Sequence, residues 1–182
     1  MVLEFPEDIP CASLDRQYML GDRLLVAPVF TKEGDVDYYL PQGTWTNLLD
    51  NRVVEGGSWQ YEVHDFMSLP LMVRENTLLP VGADDQQVEY DYGKDLTLHL
   101  FALKDQAHTD VKDRYGNDLL QAWANNQDGR VTLTFAGKAQ GLRVLLRNIH
   151  QVQDLSGAKA EDTPLGLCLQ VNDSLEPVTF SL

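Results

Sequence analysis

Basic residues are scarce in this chain. Lys and Arg together number 14 against 28 Asp and Glu, a formal net charge of −14 over 182 residues. Neutralising a phosphate backbone needs a concentrated basic patch, so no nucleic-acid partner is expected. Adhesion to an anionic membrane is disfavoured on the same ground. Cysteine is scarcer still: Cys11 and Cys168 are the only two. They make no disulfide framework, and the expected compartment is a reducing cytoplasm. No stretch approaches the ~18 apolar residues of a membrane span, and Met1–Pro6 lacks the basic region and apolar core of a signal peptide. Also missing are a Gly-x-Ser-x-Gly elbow, a phosphate-cradling glycine loop and a His-x-x-x-His pair. With 43% hydrophobic and 9% aromatic residues, what remains is a globular protein with a real core.

The stretch Leu14–Val29 organises the rest. Leu14 and Tyr18 have helical spacing, Gly21 stands where a helix would stop, and Leu24–Val29 is a short apolar run suited to a buried strand. Upstream, Met1–Phe5 reads as the end of a strand and Pro6–Pro10 as a loop. Pro10 then opens a helix to about Leu20, since proline is tolerated in a first helical turn. One strand and one helix form a β–α unit with no neighbour to complete its sheet, the expected remnant of a larger α/β domain. From Leu24 onward the period is two. Trp59, Tyr61 and Val63 alternate with Gln60, Glu62 and His64; Leu96, Leu98 and Leu100 with Thr97, His99 and Phe101; Leu142, Val144 and Leu146 face inward, with Arg143 and Arg147 outward. Roughly thirteen short strands with turns between them are many for one sandwich. The expected fold is therefore mainly β: two consecutive antiparallel β-sandwiches preceded by a remnant β–α unit. The expected divisions are residues 1–22, 23–98 and 99–182.

Chemistry is thinly signalled. His64, His99, His108 and His150 are scattered; His99 and His108 are placed to face each other across a hairpin, but a metal site needs a third ligand. Asn125–Gly129 offers a calcium ion only Asp128 and reads as a turn. The pairs Asp35/Asp37, Asp84/Asp85 and Asp110/Asp113 read as solvated surface, as charged residues mostly do. No metal, cofactor or catalytic residue is assigned. Trp45, Trp59 and Trp123, with Tyr38, Tyr39, Tyr61, Tyr90 and Tyr92, admit a platform stacking on an α-linked oligosaccharide; the other reading has Trp45 and Trp59 as large rings filling the first core.

Three groups of residues carry a resemblance. Leu14-Asp-Arg-Gln-Tyr-Met-Leu-Gly-Asp followed by Leu25-Val-Ala-Pro-Val, then Tyr39-Leu-Pro-Gln-Gly-Thr-Trp, then Ser68-Leu-Pro-Leu-Met-Val-Arg-Glu-Asn-Thr-Leu-Leu-Pro, resemble glycoside hydrolase family 31, and its α-xylosidases in particular. Leu98-His-Leu-Phe-Ala-Leu and Leu146-Arg-Asn-Ile agree as well. The resemblance implies a catalytic (β/α)8 barrel followed by a proximal and a distal β-sandwich, hydrolysing α-linked sugars with retention through two barrel aspartates. On that map Met1–Phe5 resembles the end of the eighth barrel strand and Pro10–Leu20 the helix after it. The nucleophile's motif, of the Trp-x-Asp-Met-Asn or Lys-Thr-Asp-Phe-Gly-Glu type, occurs nowhere in the chain, so no catalytic residue is carried over. Barrel active sites lie at the C-terminal ends of the strands, which puts Glu7 and Asp8 at the rim of that face. The implied partner is the catalytic barrel. Two rival roles accompany it: a stand-alone carbohydrate-binding module, and self-association through residues 1–22.

Overall fold

The computed structural model describes all residues 1–182, and apart from one 3₁₀ turn at Ile9–Ala12 its regular structure is strand. The residues fall into two compact units, Met1–Glu75 and Asn76–Leu182.

The first unit holds β1 (Tyr18–Leu20), β2 (Leu24–Val26), β3 (Asp35–Leu40), β4 (Thr44–Asn47), β5 (Val53–Glu55), β6 (Ser58–Val63) and β7 (Leu71–Arg74). Five of these form an antiparallel sheet in the order β1-β2-β7-β4-β5, and β3 pairs with β6 as a separate ribbon. Leu25, Trp45 and Met72 from the sheet meet Val36, Tyr38 and Leu40 from β3 in a small core. Pro41-Gln42-Gly43 therefore does not close a hairpin; it carries the chain from the ribbon to the sheet.

The expected β–α unit is absent. Met1–Phe5 is coiled by hydrogen bonds from the amides of Glu4 and Phe5 to the Met1 carbonyl, both 3.0 Å, which turns the Phe5 ring toward Trp45. No helix spans Pro10–Leu20: after the 3₁₀ turn the chain runs extended, and Tyr18–Leu20 pairs in register with Leu24–Val26. Gly21, at φ 66°, opens the turn of this hairpin rather than ending a helix. The extended chain before β1 places the Gln17 side chain on the backbone of β3.

The second unit holds β8 (Thr77–Val81), β9 (Thr97–Phe101), β10 (Gln106–Lys112), β11 (Asp118–Gln127), β12 (Arg130–Gly137), β13 (Arg143–Arg147), β14 (Gln153–Ser156), β15 (Ala158–Thr163), β16 (Gly166–Val171) and β17 (Val178–Ser181). Sheets β10-β11-β12-β17-β14 and β15-β16-β13-β9-β8 enclose one core. Every pair is antiparallel except β9 with β13. Alternation selects the inner face: Leu98 and Leu100, Val144 and Leu146, and Leu167, Leu169 and Val171 meet Val131, Leu133 and Phe180. β8 pairs with β9, which draws it into this unit and sets the division after Glu75 rather than near residue 98. His99 and His108 do not face each other, since β9 and β10 lie in different sheets.

Candidate functional site

The N-terminal arm supplies the first candidate surface. Phe5 lies 6.2 Å from Trp45, and the Arg74 guanidinium sits over its ring at 4.9 Å. Asp8 is partly buried, and both its carboxylate oxygens accept from the Tyr39 hydroxyl at 3.2 Å. Burial, with the Asp8 hydrogen bond behind it, pushes the Tyr39 phenol above its usual range. Glu7 is exposed and lines, with Glu4, Pro6 and Gln42, a shallow hollow of about 640 Å3. Both acidic residues singled out in the sequence line this hollow, and Asp8 is also tied to the fold through Tyr39.

Behind the arm, Gln17 acts as a clasp. Its amide donates to the Tyr39 carbonyl at 2.8 Å and accepts from the Tyr39 amide at 2.7 Å. A side chain here stands in for a missing strand, satisfying both backbone groups of a buried residue. Nothing in the spacing around Gln17 announces this.

The β3–β6 ribbon is the second candidate, and it is inside out. The alternation expected over Ser58–His64 is present, but Trp59, Tyr61 and Val63 face outward, 59%, 64% and 63% exposed. The inward face of β6 is the polar one. Glu62 accepts from the Tyr38 hydroxyl and the Arg52 guanidinium and meets His64 Nε2 at 2.7 Å; His64 Nδ1 reaches Ser68 Oγ at 3.0 Å. Burial alone would raise the Glu62 carboxyl, but those three hydrogen bonds outweigh it and hold the group below the usual carboxylate range. Tyr38, buried against that carboxylate, is shifted upward. Outside, the ribbon and the Ile9–Gln17 segment flank a groove of about 610 Å3, walled by Pro28, Phe30, Trp59 and Tyr61 with Asp15, Asp35 and Asp37 at its margins.

The two tryptophans named for sugar stacking part company. Trp45 is fully buried and its indole N–H donates to the Pro41 carbonyl at 2.8 Å, so no ring face is open to a ligand. Trp59 is accessible and leans on Tyr39 at 5.7 Å. In the second unit, Arg147 is buried, not outward: its guanidinium lies over Phe101 at 4.9 Å and donates to His99 Nδ1 at 3.2 Å. Burial, reinforced by the Arg147 charge, pushes His99 down to about 4. No group of three or more His, Cys, Asp or Glu is arranged to hold a metal ion, and no helix is long and apolar enough to cross a membrane.

Comparison with known proteins gives this geometry a context. A family profile described as "Glycosyl hydrolase family 31 C-terminal domain" matches residues 1–79, and one described as "Alpha-xylosidase YicI, C-terminal domain" matches residues 91–182. The chain belongs to glycoside hydrolase family 31. Within that family it is 35% identical over 141 residues to Alpha-xylosidase XylQ of Lactiplantibacillus pentosus, covering 75% of this chain and 18% of that protein. It is 42% identical over 90 residues to an alpha-xylosidase of Emericella nidulans, covering 45% of this chain and 12% of that protein. The chain therefore corresponds to less than a fifth of the length of these relatives. A Flavobacterium johnsoniae GH31 dextranase superposes over 100% of the chain and 28% of its own, with a TM-score of 0.76 at 16% identity. A GH31 α-xylosidase of Xanthomonas citri covers 100% and 21%, with a TM-score of 0.69 at 20% identity. At such identities the structural likeness establishes the fold alone.

Proposed function

We propose that this chain is the non-catalytic C-terminal region of a retaining α-glycosidase of α-xylosidase type, and that its first unit docks against the catalytic (β/α)8 barrel of that enzyme. The observation that carries the reading is the inverted β6 strand, whose apolar side chains face outward while its carboxylate and histidine face in. A strand is built this way when its outer face is covered by something else. The distribution of exposed apolar groups agrees: thirteen of the eighteen large exposed hydrophobic side chains belong to residues 1–75, among them Leu3, Ile9, Phe30, Phe66 and Met67. That unit buries a cluster of only seven residues against nineteen in the second. Covering about 300 Å2 of such surface contributes about 7 kcal/mol, which offsets part of the cost of association.

In this reading the chemistry belongs wholly to the barrel, and Glu7 and Asp8 approach its rim. The two free thiols, Cys11 and Cys168, suit a parent working in a reducing cytoplasm. Without a barrel, the surface of residues 1–22 and β6 self-associates instead. The test is complementation. A family 31 α-xylosidase truncated before its C-terminal sandwiches should co-purify with this chain and regain hydrolysis of 4-nitrophenyl α-xyloside. Trp59→Asp with Tyr61→Asp should abolish both effects. The chain alone should give no turnover; hydrolysis above buffer that persists through repurification overturns the reading.

A second reading rests on the accessibility of Trp59 and Tyr61 beside Asp35 and Asp37. That combination of ring faces and hydroxyl-binding carboxylates suits an α-linked oligosaccharide. It requires xylo- or gluco-oligosaccharides to quench tryptophan fluorescence in the wild type and not in Trp59→Ala.

A further inference from the structure

The second unit carries one feature that barrel docking does not use. Trp123, the only tryptophan after Trp59, projects from the middle of β11 on the outer face of its sheet and is 37% exposed. Large rings belong in cores on energetic grounds, yet β11 places Leu120, Ala122 and Ala124 inward and this ring outward. Its cross-strand neighbour His108 stacks on it, ring centres 5.2 Å apart at 25°. The His108 Nε2 atom makes no hydrogen bond, although Asp110 Oδ1 lies 3.3 Å away. The imidazole therefore serves as a flat backing for the indole, fixing its orientation.

We propose that this face of the second unit is a binding site for a neutral polysaccharide, with Trp123 as the stacking ring. Two residues along the strands, a backbone rise of about 7 Å, Asp110 stands opposite Gln121 and accepts from its amide at 2.8 Å. The Asp110 side chain stays 42% exposed, and its second carboxylate oxygen is an acceptor for hydroxyl groups. On the other flank, Thr134 of β12 sits opposite Trp123 and offers a hydroxyl that both donates and accepts. The result is a partly exposed indole braced by His108, with hydrogen-bonding groups of three adjacent strands around it.

The charge of the patch selects its occupant. Asp110 is the one charged group among these residues, and the chain carries −14 overall, so an anionic polymer is repelled. An apolar peptide would cover Asp110 and Gln121 without satisfying them, at a desolvation cost. A neutral glycan matches both demands: an apolar ring face for the indole and hydroxyls for the acceptors. The site uses no residue of the first unit, and holds whether or not that unit docks against a barrel.

Native gels cast with soluble xyloglucan or dextran test this on the full chain, whose acidity drives good migration. The wild type should be retarded in at least one of the two. Trp123→Ala should weaken binding at least about tenfold, the equivalent of about 1.4 kcal/mol, with the protein still folded at the temperature of the gel. Trp123→Phe, which keeps a ring, should bind more tightly than Trp123→Ala, and Gln121→Ala should weaken retardation with the fold intact. Tyr115→Ala, an exposed ring elsewhere on the second unit, should migrate as wild type. Equal retardation of Trp123→Ala and wild type, or no retardation of the wild type in either gel, overturns the proposal.

Discussion

Replacing Gln17 by leucine should destabilise the first unit out of proportion to the residue's modest place in the sequence. The side chain makes two hydrogen bonds, at 2.7 and 2.8 Å, to the two backbone groups of Tyr39, and Gln17 is 6% exposed. Leucine fills similar space but satisfies neither group. A buried backbone donor or acceptor left without a partner costs about 1–3 kcal/mol, so the loss should be about 4 kcal/mol for the pair. Gln17→Glu separates the two bonds. It keeps an acceptor for the Tyr39 amide but sets a carboxylate against the Tyr39 carbonyl, so the burden falls on the carbonyl side. Urea denaturation gives the energies, and hydrogen exchange at the Tyr39 amide reports the site: exchange should accelerate in Gln17→Leu. A loss below about 1 kcal/mol, with exchange at that amide unchanged, would refute the assignment of Gln17 as the clasp.

Other expectations are as direct. Trp45→Ala should cost about 3–5 kcal/mol as a core truncation, whereas Trp59→Ala should stay within about 0.5 kcal/mol of wild type as a surface change; calorimetry of both separates core from platform. His99 is held down to about 4 against 6.5 for the free side chain. The unfolded chain therefore binds more protons between those values, and stability falls as pH drops from about 6.5 to 4, by no more than about 3 kcal/mol. Urea midpoints across this window should fall less steeply in His99→Gln than in wild type. Gly129 at φ 87° has no atom near enough to obstruct a Cβ, so Gly129→Ala should cost only its left-handed backbone strain, about 1–2 kcal/mol, with the Gln127↔Arg130 register kept in amide NMR.

Where pattern and burial agreed, the fold was legible in the chain. β12 alternates Val131 and Leu133 inward because both sheets of the second unit close on one core, and Asp128-Gly129 makes the two-residue turn its sequence announces, with both residues at positive φ. Leu14 and Tyr18 misled because two apolar residues four apart fit a helix turn and also a loop leading into a short strand; the deciding contact, Gln17 on Tyr39, is 22 residues distant. β15 gave no apolar signal at all: Lys159, Glu161 and Asp162 are exposed on an edge strand, where charge deters pairing with a second chain. The candidate sites were legible only as residue types. Alternation placed Trp59, Tyr61 and Val63 on one face of β6, but which face turns outward depends on the Tyr38–Glu62–Arg52 cluster, assembled from three separate segments. Trp123 was visible as an aromatic residue, while its partnership with His108 depends on a register that only the folded sheet sets.

The single parallel pair has a consequence for how the second unit is made. Thr97 and Arg143 are neighbours across β9 and β13 although 46 residues separate them. Closing a loop of that length costs about 3 kcal/mol in chain entropy before any contact repays it. The meander β10–β11–β12 that fills the loop needs only adjacent hairpins and can assemble first. Docking of β13 beside β9 should then be the slow step, in the millisecond-to-second range of non-local β topologies. During synthesis β9 emerges with β8 alone, leaving its other edge unpaired, Leu98 and Leu100 included, until Arg143–Arg147 has left the ribosome. The interval between those two segments is when this chain is most exposed to edge-to-edge aggregation.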